Sequence, residues 1–325
     1  MREPVKGLWA MVAASTIWGL SPLYYKLLAA VPPLEVLSHR TLWSALIFSS
    51  VLAFQGRLSQ LPTVLKGRAF VLTAFAAMMI SANWFLFILS IQIGRATEAS
   101  LGYYIFPLVA VVIGVAAFGE RLRPAQGLAV LLAALAVALL TWGLGAAPWI
   151  ALMIAGTFGL YGLFKKRLAA GPVLSVTAEV LVLVPAAAVW LFGIHSGLWA
   201  EGRPGAFFGH DLRASLLLAI SGVLTAGPLI LFSYASRRVR LATVGLVQYI
   251  NPTLQFGCAT LVFAEPFTNW HGSAFGIIWA ALALYSWSSL SQERAARRLA
   301  SSVGTSGTAV RNPASDGSAK PSATI

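Results

Sequence analysis

Leu101-Gly102-Tyr103-Tyr104-Ile105-Phe106-Pro107 and Leu246-Val247-Gln248-Tyr249-Ile250-Asn251-Pro252 are two versions of one segment, aligned at a shift of 145 residues. The same shift lays Arg95 on Arg240, Glu120 on Glu265, Gly127 on Gly272 and Trp142 on Trp287. Nearer the N-terminus the shift is 140, and Trp9 falls on Trp149, Gly19-Leu20 on Gly159-Leu160, Lys26 on Lys166, and Leu28-Ala29-Ala30 on Leu168-Ala169-Ala170. The chain therefore contains one sequence twice. If each copy holds five membrane helices, the odd number turns the second copy upside down relative to the first. Inverted repeats packed around a midplane site are the architecture of secondary transporters.

Composition agrees with a membrane protein. Hydrophobic residues make up 58% of the chain and charged residues 10%, where soluble domains carry about 25% charged residues. Apolar runs of roughly 20 residues, long enough to cross a bilayer, recur at 7–29, 34–54, 70–92, 97–118, 124–143, 148–168, 173–193, 212–235, 241–263 and 270–290. The fold class expected is all-α: a polytopic membrane protein of ten transmembrane helices in two inverted five-helix repeats, 1–144 and 145–290. A Ser-, Ala- and Gly-rich cytoplasmic tail, 291–325, has too little apolar content to fold alone and is expected to be disordered. Helices rather than a barrel follow because the runs are continuous, and lipid-exposed backbone must satisfy its own hydrogen bonds. The first run is not a secretory signal, since its partner at 148–170 carries the same pattern in mid-chain. The single cysteine, Cys258, can form no disulfide within the chain.

The net charge of +13 suggests nucleic acid at first sight, but its distribution does not. With the N-terminus inside, the inner segments hold Arg2 and Lys6; Arg57, Lys66 and Arg68; Arg121 and Arg123; Lys165, Lys166 and Arg167; Arg237, Arg238 and Arg240; and Arg294, Arg297, Arg298, Arg311 and Lys320. These are 18 of the 23 basic residues; Lys26, Arg95, Arg203 and Arg213 lie outside and Arg40 within a span. The bias is a positive-inside signal. It places both termini in the cytoplasm and makes the bilayer, not nucleic acid, the partner.

A charge inside a membrane helix costs at least ~2.5 kcal/mol at the centre, so such residues have a task or a partner. The second span carries Glu35, His39 and Arg40. Glu35 and His39 share a helix face. His39 suits a proton relay or a substrate contact, or is a packing histidine; Arg40 is a site residue or reaches the outer headgroups. Glu179 occupies the repeat position of His39 and has no basic neighbour three or four residues away. It is the leading candidate for a proton-coupling or substrate group. Pro107 and Pro252 deprive the carbonyls of Tyr103 and Gln248 of their usual donors, which makes them candidate hinges. Around them lie Tyr103, Tyr104, Gln248, Tyr249 and Asn251, and the third span adds Asn83 and Trp84. These amides, phenols and an indole suit an organic solute, although the same groups also join helices by interhelical hydrogen bonds. Tyr104 and Tyr249 are expected to face one central cavity, with Asn251 and Gln248 supplying its hydrogen bonds. Ser15/Gly19 and their counterparts Ala155/Gly159 allow close helix packing. Glu120 and Glu265 end matching helices, each expected to hold the next helix's N-terminal turn.

The sequence has no Walker-type loop, no metal-ligand spacing and no nucleophile elbow, so neither enzyme activity nor a cofactor is expected. Trp18-Gly19 with Pro22, Tyr24 and Lys26, Glu35-x-x-x-His39-Arg40-x-x-Trp43-Ser44, Asn83-Trp84, Glu98-Ala99-Ser100-Leu101-Gly102-Tyr103, Gly119-Glu120-Arg121-Leu122, Gly159-Leu160-Tyr161-Gly162 and Gly245 to Phe256 resemble the RarD-like branch of the EamA-type drug/metabolite transporters. The resemblance runs in order from about residue 6 to 290. It implies a ten-helix inner-membrane carrier in two five-helix repeats, from a superfamily that exports amino acids, nucleotide-type metabolites and drugs, with chloramphenicol sensitivity linked to some members. One departure stands out: Phe106-Pro107 replaces the Asn-Pro of the fourth helix, which persists at Asn251-Pro252. The function expected is a secondary active exporter of a small organic metabolite or amphipathic drug, alone or as a homo-oligomer. The alternatives are a flippase of a lipid-linked intermediate and a non-transporting membrane sensor or subunit.

Overall fold

The computed structural model describes residues 3–119, 124–168, 170–199, 206–239 and 241–306. Its elements are α1 (Glu3–Leu27), α2 (Pro33–Phe54), a single turn α3 (Leu61–Val64), α4 (Gly67–Gln92), α5 (Ala96–Phe118), α6 (Pro124–Leu144), α7 (Trp149–Lys166), α8 (Pro172–His195), α9 (Leu212–Ser236), α10 (Leu241–Gln248), α11 (Ile250–Gly257) and α12 (Asn269–Ser306). No strand occurs among the described residues. Six helices, α2, α4, α5, α6, α8 and α9, are long and apolar enough to cross a membrane. The protein is thus an all-helical, multi-pass membrane protein.

Prolines set several boundaries. Pro33 opens α2 and Pro172 opens α8, where a missing N–H costs nothing. The two mid-span prolines behave differently. α5 runs unbroken through Pro107. The stretch expected as one span at 241–263 is instead α10, α11 and a π-helical turn, Cys258–Val262. Pro252 has no N–H to offer Gln248, and the helix breaks beside that carbonyl at Tyr249. The N–H of Tyr249 reaches back to Leu246 at 3.2 Å, a tighter turn than an α-helix makes. At the other end of the chain, the backbone of α12 stays helical to Ser306 rather than stopping near 290. Residues 294–300 are Arg, Ala and Leu, strong helix formers. The rest of the expected tail lies outside the described residues.

The helices pack in a reciprocal pattern. α2 packs on α8, α6 on α12 and α5 on α11. α1 packs on α9 as α4 packs on α7, α5 on α7 as α11 on α1, and α2 on α9 as α4 on α8. Exchanging each helix for its sequence counterpart maps this set onto itself. Gly19 and Gly159 hold matching close approaches. A Cβ on Gly19 would lie 2.7 Å from Leu254 Cβ of α11, and one on Gly159 would lie 2.7 Å from Ile113 Cδ1 of α5. Four apolar clusters result among the described residues, two of them large. One, with Phe48, Ile88, Ile154, Val180 and Leu218, fills the space among α2, α4, α7, α8 and α9. The other, with Leu108, Leu140, Phe275 and Ile278, joins α5, α6 and α12.

Glu265 makes a contact that the sequence did not indicate. Its carboxylate accepts hydrogen bonds from the N–H groups of Ala96 (2.7 Å) and Thr97 (2.8 Å) and from the Thr97 hydroxyl (2.7 Å). It therefore caps α5 in the other copy, not the helix that follows it. Glu265 lies just after the π-helical turn, and negative charge suits a helix N-terminus. Glu120 lies outside the described residues. At the N-terminus, Glu3 joins α1 to the turn after α9 through Arg238 (2.8 Å) and also pairs with Lys6 (2.8 Å). Hydrogen bonds from Lys6 and Arg238 hold its carboxyl below the usual carboxylate range.

Candidate functional site

α2 and α8, counterparts that pack on each other, each carry a buried charged cluster. On α8, Glu179 is 1% exposed. Its Oε1 lies 2.7 Å from Lys165 Nζ, and its Oε2 accepts a 3.1 Å hydrogen bond from the Tyr161 hydroxyl. Lys165 also donates to the Ser175 hydroxyl. Glu179 is therefore not the unpartnered carboxyl expected from its own helix, because its cation comes from α7 across the hairpin. A search at i±3 and i±4 sees only one helix. Lys165 stands at the repeat position of Tyr25, which the structure shows bonded to Arg40 in the other copy.

On α2, Glu35 and His39 do share a face, and that face holds the loop before α9. Glu35 Oε1 accepts from the N–H groups of Phe207 (2.8 Å) and Phe208 (3.1 Å). The His39 ring stacks on Phe208 at 4.5 Å, and His195 Nε2 lies 3.2 Å from the Phe208 carbonyl. The described part of the long loop thus covers this end of the bundle. Arg40 points the other way. It is 6% exposed, so it is enclosed rather than extended toward headgroups. Its Nη1 donates to the Tyr25 hydroxyl at 2.8 Å, and its guanidinium lies 4.1 Å from the centroid of the Trp84 ring.

Asn83 and Tyr103 occupy the space between the two clusters. The Tyr103 hydroxyl donates to Asn83 Oδ1 at 2.8 Å. Asn83 Nδ2 donates to the Ile154 carbonyl (2.9 Å) and the Thr157 hydroxyl (3.2 Å), which fixes the amide between α4 and α7. Tyr103 meets Phe158 edge-on at 5.9 Å, and Phe158 stacks on Tyr161 at 5.9 Å. A continuous track of contacts therefore runs from Arg40 through Tyr25, Phe87, Tyr103, Phe158 and Tyr161 to Glu179, with Trp84 against Arg40 and Asn83 bonded to Tyr103 along it. Of the residues singled out in the sequence, Arg40, Asn83, Trp84, Tyr103 and Glu179 meet on this track, and His39 sits beside it. Tyr25, Phe158, Tyr161 and Lys165 belong to it and were missed, because single aromatics and a helix-end lysine carry no pattern of their own.

The remaining sequence candidates lie elsewhere. Tyr104 shares a 2.7 Å hydrogen bond with the Thr253 hydroxyl and packs edge-on against Phe275 at 5.8 Å. Tyr249 packs into the same α5–α6–α12 cluster. The two tyrosines thus belong to an apolar cluster with α6 and α12 rather than to the charged track. Asn251 accepts from Gln255 Nε2 at 2.9 Å within α11. Gln248, half-buried, ends α10 at the helix break. Phe106 lies 4.6 Å from Phe158, beside the track. Among the described residues no group of three or more His, Cys, Asp and Glu side chains could hold a metal ion.

The EamA-like transporter family matches residues 5–142. A protein called RarD from Streptomyces exfoliatus is 41% identical over 297 residues, covering 91% of this chain and 92% of its own. A Vibrio cholerae protein named as an uncharacterized transporter is 39% identical over 300 residues, covering 91% and 97%. A Pseudomonas aeruginosa protein named chloramphenicol-sensitive protein RarD is 30% identical over 299 residues, covering 89% and 96%. A solved crystal structure at 18% identity shares the fold with a TM-score of 0.56, over 86% of this chain and 96% of that one.

Proposed function

Because the chain belongs to the EamA-type transporters, in their RarD-like branch, we propose that it is a secondary active exporter of a small organic metabolite or amphipathic drug, working by alternating access across the bacterial inner membrane. The observation that carries this reading is the reciprocal packing of the two halves, with a buried charged cluster on each of the counterpart helices α2 and α8. It supports ten spans in two inverted five-helix repeats, 1–144 and 145–290, and the charge bias supports cytoplasmic termini. Glu35, through Phe207 and Phe208, closes the outer end, and the Lys165–Glu179 pair closes the cytoplasmic end. A proton arriving on Glu179 removes the charge that holds Lys165 and loosens α7 from α8. Cycling that proton couples export to the gradient, and opening one end while the other stays closed is alternating access. The enclosure of Arg40 favours a small solute over a lipid-linked one, which needs an open basic groove.

The test is reconstitution. Chloramphenicol, suggested by the name of the P. aeruginosa relative, and a metabolite panel are screened first for thermal stabilisation; a ligand at 100 times its Kd adds about 2.7 kcal/mol. Stabilising compounds are then offered to proteoliposomes with and without a pH gradient. Gradient-dependent accumulation is expected. Binding without accumulation under any gradient would instead identify a membrane sensor.

A further inference from the structure

We propose that Arg40 is the receptor for an anionic group on the transported solute, and that the solute is an aromatic or otherwise flat organic acid. The proposal rests on the transporter reading and adds the substrate's chemical class.

The case begins with an imbalance inside the molecule. The second copy's half-buried cation, Lys165, has its carboxylate 2.7 Å away in the buried Glu179. The first copy's buried cation has none: among the described residues no Asp or Glu oxygen lies within ion-pair distance of Arg40. Glu35 is on the same helix, but its Oε1 is engaged with the N–H groups of Phe207 and Phe208, on the face away from Arg40. Arg40 instead has a phenol on Nη1 and an indole face against its plane, and its buried Nε has no hydrogen-bond partner. A guanidinium is always charged and presents a planar fork of donors shaped for a carboxylate or phosphate. Enclosed without a counter-charge it is costly, and an arriving anion would relieve that cost with paired, charge-assisted hydrogen bonds.

The surroundings indicate what the anion is attached to. Trp84 covers one face of the guanidinium. Tyr25 and Tyr103 each meet Phe87 edge-on at 5.8 Å, and Tyr103 leads to Phe158. A solute whose acid group meets Arg40 thus has aromatic edges and faces along its length, with Asn83 as the fixed polar group beside it. Lys165 and Glu179 at the far end already neutralise each other, so the track has one vacant charge requirement, and it is for an anion.

The full-length protein is purified into lipid nanodiscs. Thermal unfolding is followed with a panel of phenyl-, indolyl- and pyridyl-carboxylates, each beside its uncharged primary amide, with chloramphenicol as a neutral control. At least one acid is expected to raise the unfolding temperature while its amide does not. Arg40→Gln is expected to weaken that acid's apparent Kd at least tenfold. Arg40→Lys, which keeps the charge and loses the fork, is expected to weaken it less, and it serves if the Gln variant does not fold. The proposal is overturned if amides stabilise as well as acids, if no acid stabilises, or if Arg40→Gln binds the acid as wild type does. Neutral solutes accumulating in proteoliposomes of both wild type and Arg40→Gln would overturn it while leaving the transporter reading intact. Acid binding lost in Arg40→Gln, with no gradient-driven uptake in wild type, would uphold the anion site and overturn transport.

Discussion

Glu179 and Lys165 form the one ion pair among the described residues whose carboxylate is fully enclosed, and removing either partner asks a different question. Lys165→Met strips the cation from a buried carboxylate. Breaking a buried pair costs about 3–5 kcal/mol, and less is expected here because the Lys165 side chain is 23% exposed. Glu179→Gln keeps the shape and the hydrogen bond to Tyr161 while removing the titrating group. We expect Glu179→Gln to leave the protein level normal and to abolish gradient-driven uptake, and Lys165→Met to lower the melting temperature. Adding Glu179→Gln to Lys165→Met should restore much of the stability but no coupling. Unchanged gradient-driven uptake in Glu179→Gln would reduce the residue to a structural tie. The identity of such residues was legible in the sequence, since a carboxyl or guanidinium inside an apolar run is conspicuous. Their partners were not. Lys165 sits at a helix end, where lysines are ordinary, and only the α7–α8 hairpin brings it to Glu179.

Among the helices, the repeat was legible but its asymmetry was not. Pro107 and Pro252 occupy equivalent positions, yet one helix continues and the other breaks. The residues one position earlier differ, Phe106 against Asn251, and the Asn251 side chain bonds to Gln255 within α11. If the break is a hinge, Pro252→Ala should mend it, slow transport severalfold and leave the melting temperature equal or higher, whereas Pro107→Ala should change the rate little. Equal rates in Pro252→Ala and wild type would remove the hinge role. The matched glycines allow a second comparison. A methyl on Gly19 would press on Leu254 Cβ and lie 3.0 Å from the Asn251 carbonyl oxygen, atoms that cannot step aside. The methyl on Gly159 meets the movable end of Ile113. Overpacking costs about 1–3 kcal/mol, so Gly19→Ala should fall in that range and Gly159→Ala below it, as read from thermal unfolding in nanodiscs.

Across the whole molecule, the proposed odd number of spans per copy would imply something neither copy shows alone: that the two ends of the protein are built from the same segment facing opposite ways. The reciprocal helix packing is what such a pair would produce, because a two-fold axis exchanges α2 with α8, α1 with α7 and α4 with α9. Charge adds the direction. Lys and Arg on short loops stay on the cytoplasmic side, and 18 of the 23 fall there when the N-terminus is inside. A reporter active only in the cytoplasm should therefore work when fused after residue 60, in the turn between α2 and α4. It should fail when fused near residue 200, in the loop after α8. An enzyme that folds only outside should give the reverse pattern. Both fusions reporting the same side would break the alternation on which the inverted repeat depends. The charge bias and the helix reciprocity would then need separate explanations, and Glu35 and Glu179 could no longer be gates on opposite faces of one membrane.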